Sequence, residues 1–159
     1  MIDDRDELAR HLLNQAEQLI RGDGKKPSYK RRAVSCAYYA IFHAIGRLCA
    51  DCLATAEAGM TVSYERVYRS LDHNALRTSF FREPLRSSAE MQTSGAKIAQ
   101  LQGARHEADY AIPRAFLFTR SECREHITEA RKVIESLASL SGQQRRTLAI
   151  CLHFKDRKA

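Results

Sequence analysis

Arg105 and Asp109 form the pair whose residue types and spacing point most directly to chemistry. A guanidinium and a carboxylate four positions apart meet on one face of a helix. Arg105 also interrupts a stripe of apolar residues at helical spacing, formed by Met91, Ile98, Leu101 and Ala108. Because a buried charge is costly unless it is paired, we expect a structural ion pair, with Tyr39, His43 or Tyr110 satisfying its remaining hydrogen bonds. Such a pair would create a polar pocket inside the fold.

Tyr39, His43 and Arg47 provide a second set of functional groups along one edge of a predicted helix. Each lies one helical turn after the previous one, so the three side chains project in similar directions. Together with Arg105, this edge would supply a histidine for proton transfer and guanidinium groups for a phosphate. Two interpretations stay open: a phosphate or nucleotide pocket, or a purely structural network in the core.

The helix that carries this edge is the strongest core candidate in the sequence. We expect Ser28 to be its N-cap. Its broad apolar stripe contains Val34, Tyr38, Ile41, Phe42, Ile45, Leu48 and Cys52. Gly46 lies within this helix, where a glycine costs about 1 kcal/mol relative to alanine. We therefore expect Gly46 to mark a close crossing with another helix or with a second subunit.

Helical periodicity predicts further elements around this helix. The first segment of the chain is amphipathic, begins at a cap on Asp3 or Asp4 and ends at residues 22–24. Its predicted apolar face is Leu8, Leu12, Ala16, Leu19 and Ile20. Residues 62–81 indicate one or two short helices, which Pro84 stops because proline does not continue a helix.

The last third of the chain contains a clear helix start. Thr119 and Glu122 form a capping box, and we expect Gly142 to end the helix that follows. No segment alternates between apolar and polar residues, and there is no Gly-rich phosphate loop. The sequence therefore predicts an all-α, up-and-down bundle of about four to six helices over residues 1–142. Residues 143–159 are expected to form a short basic helix or a tail.

Composition bounds the class of protein. The length of 159 residues suits a single domain. The formal net charge of +7 favours polyanionic partners, although acidic residues are interspersed through the chain. No apolar stretch is expected to reach the length of a membrane span, and the acidic start at Met1-Ile2-Asp3-Asp4 differs from a signal peptide. We therefore expect a cytoplasmic protein without membrane contact.

The five cysteines are expected to be reduced thiols. Cys36, Cys49, Cys52 and Cys123 fall within predicted helices, where they would serve as small buried apolar groups. Cys49-x-x-Cys52 has the spacing of half a zinc site, but the sequence offers no second pair of ligands at suitable spacing. We expect neither a bound metal nor a cofactor.

Two segments in the predicted helices resemble one known family, in the same order. Arg32-Ala33-Val34-Ser35-Cys36-Ala37-Tyr38-Tyr39-Ala40-Ile41-Phe42-His43-Ala44 resembles the small-Tyr-Tyr-Ala-x-Phe-His-Ala signature of the HEPN family. Arg105-His106-Glu107-Ala108-Asp109-Tyr110 resembles the Arg-x-x-Ala-Asp-Tyr element that follows in many members. The resemblance covers roughly residues 5–140. It implies an up-and-down helical bundle, frequent homodimerisation and a group that contains metal-independent ribonucleases, many of them toxins or antiviral effectors.

The sequence departs from the catalytic pattern of that family. Catalytic members carry an Arg-x4–6-His motif, in which histidine deprotonates the ribose 2′-hydroxyl and arginine stabilises the charged phosphate. After Arg105, the expected histidine positions hold Tyr110, Ala111 and Ile112, and His106 is predicted to point to another side of the helix. The same spacing recurs at Arg5–His11, Arg120–His126 and Arg146–His153. Chance accounts for these matches, and we interpret Arg120 and His126 as solvated side chains in a capped first turn.

The resemblance implies a protein that binds RNA or a nucleotide. It also leaves open that the protein is a metal-independent endoribonuclease of toxin–antitoxin or defence type. The candidate catalytic residues are Arg105, Asp109, Tyr110 and His43, and the candidate nucleic-acid or nucleotide-binding residues are Arg105, His106, Tyr39 and Arg47. The implied partners are a second copy of the chain, RNA or a nucleotide, and a nucleotidyltransferase-like antitoxin. The alternative is a non-catalytic helical module for dimerisation or interaction within a larger complex.

Overall fold

The computed structural model describes residues 6–22, 26–54, 61–114 and 117–156. The α-helices are α1 (Glu7–Ile20), α2 (Pro27–Leu53), α3 (Val62–Ser70), α4 (His73–Thr78), α5 (Ala89–Tyr110), α6 (Arg120–Ala138) and α7 (Gly142–His153). Two short 3₁₀ turns, Ser79–Phe81 and Leu85–Ser87, connect α4 to α5. No strand occurs in these ranges, so the all-α prediction is confirmed, whereas the predicted number of helices was too low.

Helix α2 lies at the centre of the bundle, and α1, α3, α5, α6 and α7 all pack against it. Within its predicted stripe, Val34, Tyr38, Ile41 and Ile45 have no measurable solvent exposure. Phe42, Leu48 and Cys52 are partly buried against the same core. The prediction that this helix forms the main core element is therefore confirmed.

The start of α2 differs from the prediction. Lys26 is the N-cap and Pro27 is the first helical residue, so Ser28 is not the cap. Proline is favoured at the first position because its fixed φ suits the helix and its missing N–H has no partner to lose there. Proline therefore begins a helix at Pro27, whereas it was expected to end one at Pro84.

The length and composition of α2 also correct the expectation that no segment is apolar enough to cross a membrane. Pro27–Leu53 meets that criterion by length and composition alone, with a mean hydropathy of 1.2 in its most apolar window. Within that window, 72% of the helix is buried inside the bundle. A core helix of this kind passes the same test as a membrane span, so this feature is weak support for membrane contact.

Two helical glycines face other parts of the chain. A Cβ at Gly46 would meet the backbone oxygen of Tyr68 at 3.6 Å, an ordinary packing distance, so Gly46 faces α3 of the same chain without being required for an unusually close crossing. A Cβ at Gly95 would lie only 2.3 Å from the Cβ of Phe80. Gly95 is therefore required for the 3₁₀ turn at Ser79–Phe81 to pack on α5, a contact that was not predicted.

The outer helices follow their predicted positions with local corrections. The buried face of α1 consists of Ala9, Leu13, Ala16 and Ile20, and the predicted member Leu8 is exposed. Asp3 and Asp4 lie outside the described residues. Helix α1 ends where predicted, and Gly22 has a φ of 56°, which favours glycine. Residues 62–78 form two short helices, as predicted.

The capping box at the start of α6 is confirmed. The Thr119 side chain accepts from the backbone N–H of Glu122, and the Glu122 side chain accepts from the backbone N–H of Thr119. The prediction for Gly142 was wrong, because α6 ends at Ala138 and Gly142 is the first residue of α7. Ser141 caps α7, so the C-terminal segment forms a helix instead of a tail.

Helix α7 is part of the main core. Its buried residues Leu148, Ala149 and Leu152 join the same cluster as the core of α2. The Arg145 guanidinium donates to the backbone oxygens of Ala138, the last residue of α6, and of Leu140, in the turn that follows. These contacts fix α7 to the bundle.

The cysteines are free thiols, as predicted. Cys36, Cys49 and Cys123 are buried, and Cys52 and Cys151 are partly exposed. Burial raises the pKa of the Cys123 thiol to about 11, so this group is neutral at physiological pH. These side chains therefore act as small apolar groups of the core.

Candidate functional site

Arg105 lies on the buried face of α5 and is only 8% exposed. Its guanidinium carbon is 5.3 Å from the centre of the Tyr38 ring and 5.7 Å from that of Tyr39, in range for cation–π attraction. Its Nη1 donates to Asp109 Oδ2 at 3.4 Å. The predicted ion pair is confirmed, and Tyr39 contacts Arg105 through its ring.

Asp109 is held by a second donor from α2. Ser35 Oγ donates to Asp109 Oδ1 at 2.6 Å, so each carboxylate oxygen has one donor. The Asp109 side chain is 30% exposed and lies at the edge of the cluster. Ser35 is buried and was not predicted as a site residue. Its small size, one turn before Tyr39, lets α5 approach α2 here.

His73 is the other group that the sequence did not identify. It follows Asp72, the N-cap of α4, and its Nδ1 lies 2.6 Å from the Tyr38 hydroxyl. The His73 ring also packs on Phe42 with ring centres 4.5 Å apart. The structure thus places a histidine beside the Tyr38 ring that covers Arg105, although none occurs at the expected position after Arg105.

The environment keeps Tyr38 and His73 uncharged at neutral pH. Burial raises the pKa of the Tyr38 phenol, against a lowering by the charge of Arg105. Burial, and then the positive charge of Arg105, lower the pKa of the His73 imidazole below its ordinary value. A neutral imidazole and a neutral phenol therefore share one hydrogen bond in front of a fixed positive charge.

Two buried polar atoms near this cluster have no hydrogen-bond partner among the described residues. They are Arg105 Nε and Gln102 Oε1, a donor and an acceptor that come from the same face of α5. Gln102 Nε2 donates to the backbone oxygen of His73 at 3.0 Å. Leaving a buried donor or acceptor unpaired is costly, so these two atoms do not stabilise the core by packing alone.

Arg31 ties the start of α2 to the end of α5. Its Nε donates to the backbone oxygen of Ala108 at 2.5 Å, and its Nη2 donates to that of Ala111 at 2.8 Å. These are carbonyls that the end of a helix leaves unpaired. A positive charge at the C-terminal end of a helix also interacts favourably with its dipole. Arg31 therefore has a structural role as well as its position near the site.

An open groove with a volume of about 890 Å³ runs between these two helix ends. Its lining includes Pro27, Arg31, Arg32, Asp109, Pro113 and Arg114. Arg32 and Arg114 are exposed, and no described contact occupies their guanidinium groups. Three arginines against one carboxylate make the groove positive, which favours an anion. Asp109 belongs both to the groove and to the Arg105 cluster, so it joins the two.

His43 and Arg47 lie in a different contact, between α2 and α3. His43 Nδ1 is 2.7 Å from the Tyr68 hydroxyl, and burial lowers the pKa of His43. Arg47 Nε lies 3.7 Å from Asp51 Oδ2, and Tyr64 donates to Asp51 Oδ1 at 3.0 Å. His43 and Arg47 therefore make no described hydrogen bond with Arg105, although the His43 ring lies 6.4 Å from that of Tyr39.

His106 and Tyr110 lie on the exposed face of α5. Their ring centres are 4.9 Å apart, and Tyr110 is 69% exposed. His106 points away from Arg105, as predicted. Tyr110 does not satisfy the hydrogen bonds of Arg105, because it lies on the opposite side of the helix surface from the buried cluster.

Arg120 and His126 are not simply solvated, which corrects their interpretation. Arg120 Nη2 donates to the backbone oxygen of Gly22 at 3.1 Å. His126 is partly buried, its ring centre is 6.2 Å from that of Phe118, and burial lowers its pKa. The two residues therefore pack the start of α6 against its neighbours. Arg5 lies outside the described residues.

No group of three or more His, Cys, Asp or Glu side chains in the described ranges is arranged to hold a metal ion. Comparison of the chain with protein-family models, curated proteins and solved structures found no match. The fold and the site define an all-α helical bundle in which a buried arginine pairs with an aspartate at the edge of a basic groove.

Proposed function

We propose that this protein binds RNA or a nucleotide in the basic groove between the start of α2 and the end of α5, and that its bundle is of the HEPN type. The observation that carries the proposal is the pair of exposed arginines, Arg32 and Arg114, that face one groove with Arg31. The formal net charge of +7 supports a polyanionic ligand.

The chemistry of the groove suits phosphate groups. A guanidinium donates two parallel hydrogen bonds to a phosphate, and arginine keeps its charge at every physiological pH. Pro27 and Ser28 place the N-terminal end of α2 in the same groove, where the helix dipole also favours negative charge. Both effects act on the ligand backbone, so we expect binding without strong sequence preference.

A second candidate is a non-catalytic helical interaction module. It is favoured by the burial of Arg105, whose described contacts are all inside the bundle. A catalytic arginine must contact the phosphate that reacts, and this one is covered by Tyr38 and Tyr39. We therefore propose binding as the main activity and leave RNA cleavage to a direct test.

Fluorescence anisotropy with a labelled RNA tests the groove. The variant Arg32→Gln/Arg114→Gln should weaken binding across all RNA sequences and reduce the slope of log affinity against log salt by about 2. The variant Arg69→Gln/Arg86→Gln removes the same charge from exposed positions outside the groove and is the matched control. Equal affinities for the two variants would refute the groove as the binding site.

Incubation of RNA with the parent protein and EDTA tests the ribonuclease option. Cleavage that persists in EDTA and is lost in His73→Gln or Arg105→Ala would assign a metal-independent reaction to this cluster, provided the variants remain folded by circular dichroism. Absence of cleavage alongside tight, salt-dependent binding would support the non-catalytic form of the proposal.

We also propose a homodimer, as the resemblance to the HEPN family implies. Gly46 gives no support for a subunit interface, because it faces Tyr68 in α3 of the same chain. Multi-angle light scattering at micromolar concentration is the measurement. A mass of about 36 kDa, twice the 18.1 kDa of one chain, is expected, and a monomer would contradict the proposal.

A further inference from the structure

The exposed end of α5 carries an aromatic pair with no role in the core. Tyr110 is 69% exposed, and its ring lies 4.9 Å from that of His106 at an angle of 46°. Neither residue belongs to the hydrophobic core. Ile112, which follows, is also exposed. Large apolar groups grouped on a surface indicate a binding site more often than isolated ones do.

This pair is close to the basic groove along the chain. Only three residues separate Tyr110 from Arg114, so their Cα atoms are at most about 14 Å apart. The C-terminal end of α5 is fixed, because Arg31 holds the backbone oxygens of Ala108 and Ala111. The aromatic pair is therefore presented on a rigid helix end, within four residues along the chain of the exposed guanidinium group of Arg114.

Aromatic rings next to a positive groove are the combination that single-stranded nucleic acid requires. Its bases are unpaired and stack on aromatic side chains, while its phosphates meet arginine or lysine. In a duplex the bases are already stacked on one another, and a surface tyrosine has no free base to meet. Charge complementarity alone would not distinguish these two ligands, whereas the aromatic pair does.

We propose that His106 and Tyr110 form a stacking platform for a base of single-stranded RNA whose phosphates lie in the groove of Arg32 and Arg114. This inference rests on the proposed function and specifies single-stranded RNA as the ligand. The groove supplies affinity for the backbone, and the platform supplies preference for single strands. Tyr110 contributes more than His106, because its ring is larger and more apolar.

The test compares three labelled RNAs of equal length by fluorescence anisotropy: an adenine-rich single strand, the same strand with abasic sites, and a duplex. The parent should prefer the adenine-rich strand. Tyr110→Ala should weaken binding of that strand about tenfold, because one base loses its stacking partner, and should leave binding of the abasic strand unchanged. Tyr110→Phe should retain parental affinity, since it keeps the ring.

Matched variants separate the failure of this inference from failure of the groove. Phe154→Ala removes another exposed aromatic ring, at the C-terminal cap of α7, and should bind as the parent does. Parental binding of the adenine-rich strand by Tyr110→Ala, with weakened binding by Arg32→Gln/Arg114→Gln, would overturn the platform and leave the groove in place. Absence of binding by the parent to any of the RNAs would overturn both.

Discussion

The buried and exposed faces of helix α5 use the same kinds of residue for different purposes. Arg105 and His106 are neighbours in the chain, yet Arg105 is enclosed by Tyr38, Tyr39 and Asp109, whereas His106 stacks on Tyr110 at the surface. On the buried face, the Arg105 guanidinium is enclosed by two rings from α2 and by a carboxylate of its own helix. On the exposed face, the described contact of His106 and Tyr110 is with each other, which leaves their outer surfaces open to a ligand.

A polar residue within a recognisable motif therefore does not have to contact a ligand. Arg105 attracts attention by its charge, but its position makes it first a structural residue. Tyr110 has no charge, and its exposure on a rigid helix end makes it the better candidate for contact with a ligand. Substitutions on the two faces should therefore separate stability from binding.

The largest effect is expected for Arg105→Ala, which would leave the Asp109 carboxylate with Ser35 as its one remaining donor. Because Asp109 is exposed and keeps Ser35, the loss falls below the cost of breaking a fully buried ion pair; we expect about 2–3 kcal/mol, from the ion pair together with the ring contacts and packing of Arg105. Urea denaturation measures this change in the free energy of unfolding. On the opposite face, His106→Ala should stay within about 0.5 kcal/mol of the parent. Equal stabilities for the two variants would break the distinction between the faces.

A somewhat smaller loss is expected for Gly95→Ala. The new Cβ would lie 2.3 Å from the Cβ of Phe80, which is next to the backbone and does not move without the 3₁₀ turn. Overpacking of this kind costs about 1–3 kcal/mol. Thermal melting by circular dichroism is the measurement. A parental melting temperature would show that the turn at Ser79–Phe81 shifts freely.

Gly103→Ala is the matched change on the exposed face, and it should act in the opposite direction. A Cβ at Gly103 meets nothing within 4 Å, and the residue lies in the interior of α5. Alanine in a helix interior is favoured over glycine by about 0.5–1 kcal/mol, so this variant should be more stable than the parent by that amount. Destabilisation in the same urea experiment would show that this face of α5 is packed against something.

The smallest expected effect is a change in pH dependence. The pKa of His73 is lowered in the folded state, chiefly by burial and then by Arg105, so the unfolded chain binds more protons as pH falls below about 6.5. Its contribution to stability is therefore fully present above that pH and is lost as pH falls toward the folded pKa. Melting temperatures of the parent should fall between about pH 7.5 and about pH 5.5.

Because His43, His126 and His153 also have lowered pKa values, part of this fall should remain in His73→Gln. The variant should lose only its own share of the slope. An identical slope in the variant and the parent would show that His73 keeps its ordinary pKa in the folded protein.

Local spacing predicted much of this fold, because helical contacts four residues apart repeat along the sequence. The Arg105–Asp109 pair, the capping box at Thr119 and the apolar stripe of α5 all depend on such spacing. The same geometry argues against the expected contact of Tyr110 with Arg105, since five positions correspond to a rotation of about 140° around the helix, and Tyr110 is exposed.

The rest of the site could not be predicted, because its residues meet across long stretches of chain. Ser35 meets Asp109 over 74 positions, and Tyr38 meets His73 over 35. No periodicity relates such residues, and only the packing of α2 against α5 and α4 brings them together. The partner of His43 could not be predicted for a related reason. Helix α2 packs against several helices, and the spacing of its residues does not indicate which helix each face meets.

The central position of α2 has a consequence for how the protein opens. Backbone amides of α2 become accessible to solvent hydrogen exchange only when the contacts with its surrounding helices separate together. Helix α3 packs mainly on α2 and has few other neighbours, so it is able to detach while the remaining helices stay packed. Deuterium should therefore enter α3 early and α2 last, at the rate set by global unfolding.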